Sequence, residues 1–275
     1  MSAFSSRLQS SWARNDSLVC VGLDPEIERF PEHVAAHASP IFQFNKAIID
    51  ATADLVCAYK PQIAHFSAVG AEEQLERLIR HIRERAPGVP VILDAKRGDI
   101  GSTARHYARE AFERYGADAL TVSPFLGRDS LDPYMEAYPE RGLFVLCRTS
   151  NPGSDDLQAL GLRDAEAPGE RLFERVARLA AGPWNRNGQL GLVTGATRPQ
   201  DIVAVRAVAP DLPLLIPGVG AQGGDLEATV RAAGDRFLIN ASRSVLYAAP
   251  GSQFAAAARD EAERLRDTMA ELAPH

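Results

Sequence analysis

Residues 72–96 read EEQLERLIRHIRERAPGVPVILDAK, and two periodicities meet inside that stretch. Across residues 72–85, Leu75, Leu78, Ile79 and Ile82 recur at the spacing of a helix with one apolar face. Across 89–94 the apolar residues run together without polar alternation, as expected of a parallel strand covered on both faces. The strand-like run then gives way to charge, with Asp94 and Lys96 at its C-terminal end.

Working outward, the same kind of apolar run recurs at 18–23, 55–59, 119–122, 143–147, 191–194, 214–216 and 236–239, which predicts eight strands in all. Amphipathic helical patterns lie between them, for example over 104–115 and 198–208, where Pro199 suits a first helical turn. Gly116, Gly188 and Gly234 precede strands, where helix-to-strand connections commonly use glycine. Eight such units in 275 residues predict an α/β fold, a single (β/α)8 TIM barrel with 1–275 as one domain. A doubly wound open sheet would need a glycine-rich dinucleotide turn after the first strand, and the chain has Gly22-Leu23-Asp24-Pro25 there. The longest expected loop, 149–169, follows the fifth strand and reads either as a lid or as an ordinary surface insertion.

Bulk composition excludes several function classes. No apolar run approaches the ~20 residues needed to span a bilayer, and residues 1–15 lack the apolar centre of a signal peptide. The expected compartment is the cytoplasm, with no membrane partner. A net charge of −6 argues against a general nucleic-acid surface. The three cysteines (Cys20, Cys57, Cys147) each sit in an apolar run, and the six histidines form no ligand-spaced cluster, so no metal site is expected. Only three lysines (Lys46, Lys60, Lys96) stand among 30 basic residues. Lysine can give up a proton near neutral pH and arginine cannot. Lys60 and Lys96 end strand-like segments, whereas Lys46 reads as a surface or capping residue.

In a barrel the C-terminal strand ends converge on one site. Here they carry Asp24, Lys60, Asp94 and Lys96, with Asp99 close behind. Asp94 and Lys96 are two residues apart and so share a side of an extended strand. A purely structural ion-pair network is the competing explanation of these charges. A second concentration follows the seventh and eighth strands, in Pro217-Gly218-Val219-Gly220-Ala221-Gln222-Gly223-Gly224 and Asn240-Ala241-Ser242-Arg243. Barrels commonly bind phosphate at that position, through backbone N–H groups freed by glycine and through a charge such as Arg243.

The stretch Asp94-Ala95-Lys96-Arg97-Gly98-Asp99-Ile100-Gly101-Ser102-Thr103 resembles the Asp-x-Lys-x-x-Asp signature of the orotidine 5′-phosphate decarboxylases. Val21-Gly22-Leu23-Asp24-Pro25, Tyr59-Lys60-Pro61-Gln62, Gly195-Ala196-Thr197-Arg198-Pro199, the glycine-rich loop and Ser242-Arg243 extend the resemblance over nearly the whole chain. Thr149-Ser150-Asn151-Pro152-Gly153 looks like the longer bacterial branch. The resemblance implies cofactor-free loss of CO2 from orotidine 5′-phosphate to give UMP. Lys96 would protonate C6, Asp94 would sit beside the departing carboxylate, and Asp99 would complete the alternating array from the neighbouring subunit of a homodimer with shared sites. Thr103 would accompany Asp99 and touch the ribose. Asp24 and Lys60 would bind ribose hydroxyls, and Gly220, Gln222 and Arg243 would hold the phosphate. One departure is that Ala196 stands where some relatives have a base-contacting serine, which leaves backbone groups or Thr197 to read the pyrimidine.

Two other readings compete. Some sugar-phosphate aldolases and keto-acid decarboxylases share Asp-x-Lys-x-x-Asp but hold Mg2+ with a glutamate after strand two, and this chain has Lys60 there. A catalytically silent phosphate binder would need the phosphate loop but not Lys96.

Overall fold

The structure, a computed structural model, describes residues 2–163, 168–219 and 223–272. Gly220 and Gln222, expected to hold phosphate, lie outside the described residues. Eight parallel strands form one sheet: β1 (Val19–Leu23), β2 (Ala58–Pro61), β3 (Ile92–Arg97), β4 (Ala119–Val122), β5 (Gly142–Arg148), β6 (Leu190–Thr194), β7 (Leu214–Pro217) and β8 (Phe237–Ala241). The order β2-β1-β8-β7-β6-β5-β4-β3 brings the first and last strands side by side. Isolated parallel bridges Tyr59–Val91 and Gln62–Asp94 join the two ends of that order, β2 and β3, so the sheet curls into the expected barrel.

Two strands start three residues later than their apolar runs. Residues 55–57 are buried but lie in the turn before β2, where Leu55 N–H donates to Thr52 O. β3 begins at Ile92 and runs on through Lys96 to Arg97. An apolar run reports burial, and the backbone can be buried without being extended. The helix Glu72–Arg85 matches its pattern, and Leu75, Leu78, Ile79 and Ile82 are all buried. The expected 104–115 helix divides into an α-helix, Gly101–Arg109, and a π-helical turn, Glu110–Arg114. Gly116 (φ 67°) and Gly234 (φ 76°) adopt the left-handed backbone that ends a helix ahead of a strand.

The N-terminal helix, Ala3–Asn15, supplies Phe4 and Leu8 to the cluster inside the barrel, with Cys20, Ile92, Phe144, Leu215 and Leu238. Phe4 meets Phe144 edge-on at 5.9 Å, and a Cβ at Gly142 would fall 2.2 Å from the Phe4 ring. One end of the barrel is thereby closed with packed side chains, each contributing roughly 1.5–3 kcal/mol by burial. The other end, where the strands finish, stays open. Among the described residues no helix is long and apolar enough to cross a membrane.

Candidate functional site

The open end is a cleft of about 540 Å3. Leu146, Val193 and Leu215 give it apolar surface, and every strand end but that of β6 adds a polar or charged group or a glycine. Asp24 follows β1, Lys60 lies on β2, Asp94 and Lys96 on β3 and Thr121 on β4. Gly218 follows β7, and Asn240, Ser242 and Arg243 come from the end of β8 and beyond.

The charges alternate in space as the sequence spacing implies. Lys60 is 4% exposed, and its Nζ donates to Asp94 Oδ2 at 2.9 Å and lies 4.0 Å from Asp24 Oδ1. Asp94 Oδ1 accepts from Lys96 Nζ at 2.7 Å and from the Thr121 hydroxyl at 2.8 Å. Burial works against the charge on Lys60, but the Asp94 and Asp24 carboxylates outweigh it and hold the ammonium's pKa above its ordinary value. Burial likewise works against ionised Asp94, and Lys60 and Lys96 together hold it well below the usual carboxylate range. Both groups are therefore charged at neutral pH. Asp24 Oδ1 is buried and without a hydrogen-bond partner among the described residues, which leaves an acceptor ready for a ligand hydroxyl.

β3 is not regularly extended at Lys96. Its register against β4 shifts between Leu93 and Arg97, and Lys96 takes φ 47°. A side-chain-bearing residue pays roughly 1–2 kcal/mol for that conformation. Asp94 and Lys96 do reach each other, through this kink as well as through strand alternation.

The loop after β5 forms a wall of the cleft with Thr149, Ser150, Asn151 and Gln158. Arg148, 2% exposed, anchors it. Its guanidinium donates to Asp201 Oδ2 (2.8 Å), Ser154 Oγ (2.8 Å) and Asp155 Oδ1. Asp155 in turn takes two bonds from Arg198, at 2.8 and 2.6 Å, and Asp201 pairs with Arg171 at 3.0 Å. The described part of 149–169 is thus fixed at its base, and 164–167 lie outside the described residues.

Residues 17–258 match the family described as Orotidine 5′-phosphate decarboxylase / HUMPS family. The chain belongs to this family. The orotidine 5′-phosphate decarboxylase of Delftia acidovorans is 62% identical over 274 residues, covering 98% of this chain and 98% of that one. The structure of Leishmania donovani OMP decarboxylase aligns with TM-score 0.80 and 42% identity, over 97% of this chain and 100% of that one. The structure of Leishmania donovani UMP synthase aligns with TM-score 0.86 and 42% identity, over 99% of this chain but 57% of that one.

Within this family frame, the structure brings Asp24, Lys60, Asp94, Lys96 and Arg243 into one cleft and leaves three expected residues off its wall. Asp99 accepts from the Ile100 N–H at 2.8 Å, and Thr103 is exposed on the helix Gly101–Arg109. The Thr197 hydroxyl donates to Ser150 O at 3.4 Å, one residue behind the wall that Ser150 itself forms. Ala196 is fully buried. Lys46 pairs with Asp50 at 2.6 Å on the helix Pro40–Thr52, away from the cleft. Sequence reasoning missed Thr121, Gln158 and Arg148. For Thr121 a signal existed, as the single polar residue of the ALTV strand, near the end that faces the mouth.

Proposed function

We propose that this chain converts orotidine 5′-phosphate to UMP and CO2 without a cofactor, with Lys96 as the proton donor. The bond from C6 to the carboxyl carbon breaks, its electron pair stays on C6, CO2 departs, and Lys96 Nζ delivers a proton to C6 and regains one from water. The observation that carries this reading is the run of alternating charges, Lys60, Asp94 and Lys96, in hydrogen-bond contact at the edge of a cleft that also carries Gly218, Ser242 and Arg243. An ammonium held in place before charge develops stabilises a carbanion-like centre without reorganising. Lys96 is half-exposed toward the cleft while Asp94 behind it is buried. Asp94 lies beside the departing carboxylate, the orphaned oxygen of Asp24 accepts from a ribose hydroxyl, and Lys60 approaches the same sugar.

Phosphate is assigned to Arg243 and the loop that begins at Gly218, including Gly220 and Gln222. Binding energy gained there, far from the broken bond, holds the base against the reacting groups. Thr149, Ser150, Asn151 and Gln158 face the base, with Thr197 acting through Ser150. Lys60 argues against a metal-dependent relative, since its buried ammonium stands where those enzymes carry a metal-binding glutamate and would repel a divalent ion.

The working form is a homodimer with shared sites. Asp99 and Thr103 do not line their own cleft, and Ile100 (53%), Phe125 (78%) and Leu126 (48%) are exposed apolar residues nearby in the chain or on the next strand's loop. A partner seated there would bury that surface and receive Asp99 and Thr103. We take 1–275 to be one catalytic domain and its compartment to be the cytoplasm, in keeping with three separate buried thiols. The test is the fall in orotate-band absorbance when EDTA-treated protein meets orotidine 5′-phosphate. Loss of signal with UMP as product is expected. No change, together with turnover of sugar phosphates once Mg2+ is added, would refute the reading.

A further inference from the structure

Thr121 is 2% exposed, and its hydroxyl makes three hydrogen bonds. It accepts from the N–H groups of Ala95 and Lys96, both at 3.0 Å, and donates to Asp94 Oδ1 at 2.8 Å. A hydroxyl has one donor and two acceptor sites, so its capacity is filled. We propose that Thr121 is the positioning residue that sets the Lys96 ammonium for proton transfer. The inference rests on the reading of Lys96 as proton donor.

The physical case starts from the ladder. Where β3 shifts register against β4, between Leu93 and Arg97, the N–H groups of Ala95 and Lys96 both turn to the Thr121 side chain. That hydroxyl takes the place of a strand carbonyl and holds Lys96 at φ 47°, a conformation that L-residues keep only when their surroundings enforce it. The same oxygen orients Asp94, whose Oδ1 takes the Lys96 ammonium at 2.7 Å. Backbone and side chain of Lys96 are therefore fixed from one atom. A threonine suits the task because its β-branch restricts χ1 and so aims the hydroxyl.

The variants T121V, which keeps the shape and removes the hydroxyl, and T121S, which keeps the hydroxyl, test this directly. In T121V, kcat for orotidine 5′-phosphate is expected to fall about a hundredfold, the scale of an ångström-level misplacement. KM should stay within about threefold, because phosphate and ribose contacts are untouched. T121S should recover most of kcat, which a role in packing alone would not produce. If T121V does not fold, T121C carries the same expectation, since a thiol is a weak donor and acceptor. Crystal structures supply a readout independent of turnover: in T121V, Lys96 should leave the left-handed region and its Nζ should lose Asp94. Wild-type kcat in T121V, a loss confined to KM, or an unmoved Lys96 would overturn the proposal. A wild-type protein that leaves orotidine 5′-phosphate intact would instead refute the decarboxylase reading, while the position of Lys96 in T121V still decides this one.

Discussion

Lys60→Met removes an ammonium and keeps an unbranched stem of similar volume, so it tests what the buried charge contributes. Lys60 Nζ lies 2.9 Å from Asp94 Oδ2 and 4.0 Å from Asp24 Oδ1. After the change Asp94 retains Lys96 and the Thr121 hydroxyl, but Asp24 faces it with no cation between them. Breaking a buried pair by removing one partner costs about 3–5 kcal/mol. The partners left to Asp94 and the partial exposure of Asp24 favour the lower end, so a loss of about 3 kcal/mol at pH 7 is expected.

The pH dependence distinguishes charge from packing. In the wild type Asp94 titrates well below the ordinary carboxylate, because Lys60 and Lys96 outweigh the effect of burial. Such a group contributes stability that is present above its unfolded value near 3.9 and is lost as pH falls through the lower folded value. Without Lys60 burial is opposed less, and the carboxyl of the variant titrates higher. Once pH drops below that value the variant takes up a proton and no longer buries an uncompensated charge, while the wild type is still unprotonated there. The stability gap is therefore constant above the variant's value and narrows on acidification below it, by up to about 1.4 kcal/mol per pH unit. Urea unfolding followed by the fluorescence of Trp12 and Trp184 at a series of pH values from 7 down to 3 measures it, provided the slope of the transition is unchanged. A gap that stays constant across that range would show that Lys60 is held by packing and not by charge.

Two further outcomes test the site from other sides. Lys96→Ala and Asp99→Ala should each abolish turnover while the protein stays folded, and mixed subunits should regain activity because one site of the heterodimer is intact. No recovery after proven subunit exchange would count against shared sites. Arg243→Ala should weaken binding of the phosphate-bearing substrate by about 2–4 kcal/mol, the scale of a lost charge-assisted contact. The same loss for a substrate lacking the phosphate, measured by kcat/KM, would show that Arg243 does something else.

The legible part of this molecule was the part governed by period and position. The apolar runs placed eight strands, and strand ends placed Asp24, Lys60, Asp94 and Lys96 together, because a closed barrel brings every C-terminal strand end to one mouth. What stayed hidden depended on pairing across strands. Thr121 matters through Ala95, Lys96 and Asp94 on a neighbouring strand, and the register that joins them is irregular. Arg148 looked like any other arginine in an arginine-rich chain, yet it is buried by carboxylates from a loop and from the helix Pro199–Val208. The wall of the cleft moved for a similar reason. Thr197 follows β6 in sequence, whereas the packing of Gly195 against Ser150, where a Cβ would come within 2.8 Å, puts the β5 loop in front.

The array also gives a physical meaning to the residue type at position 60, on β2. A carboxylate there, beside Asp94, would leave excess negative charge at the mouth and call for a divalent cation. Lys60 supplies that positive charge from the chain itself, and its ammonium hydrogen-bonds Asp94. The four groups Asp24, Lys60, Asp94 and Lys96 then sum to zero charge before a ligand arrives. An anionic substrate entering this cleft meets a neutral, pre-paired array, and the Lys96 ammonium is its half-exposed member. In the proposed mechanism Lys96 donates the proton while Lys60, through Asp94, holds it in place, so Lys60→Met should reduce kcat along with stability.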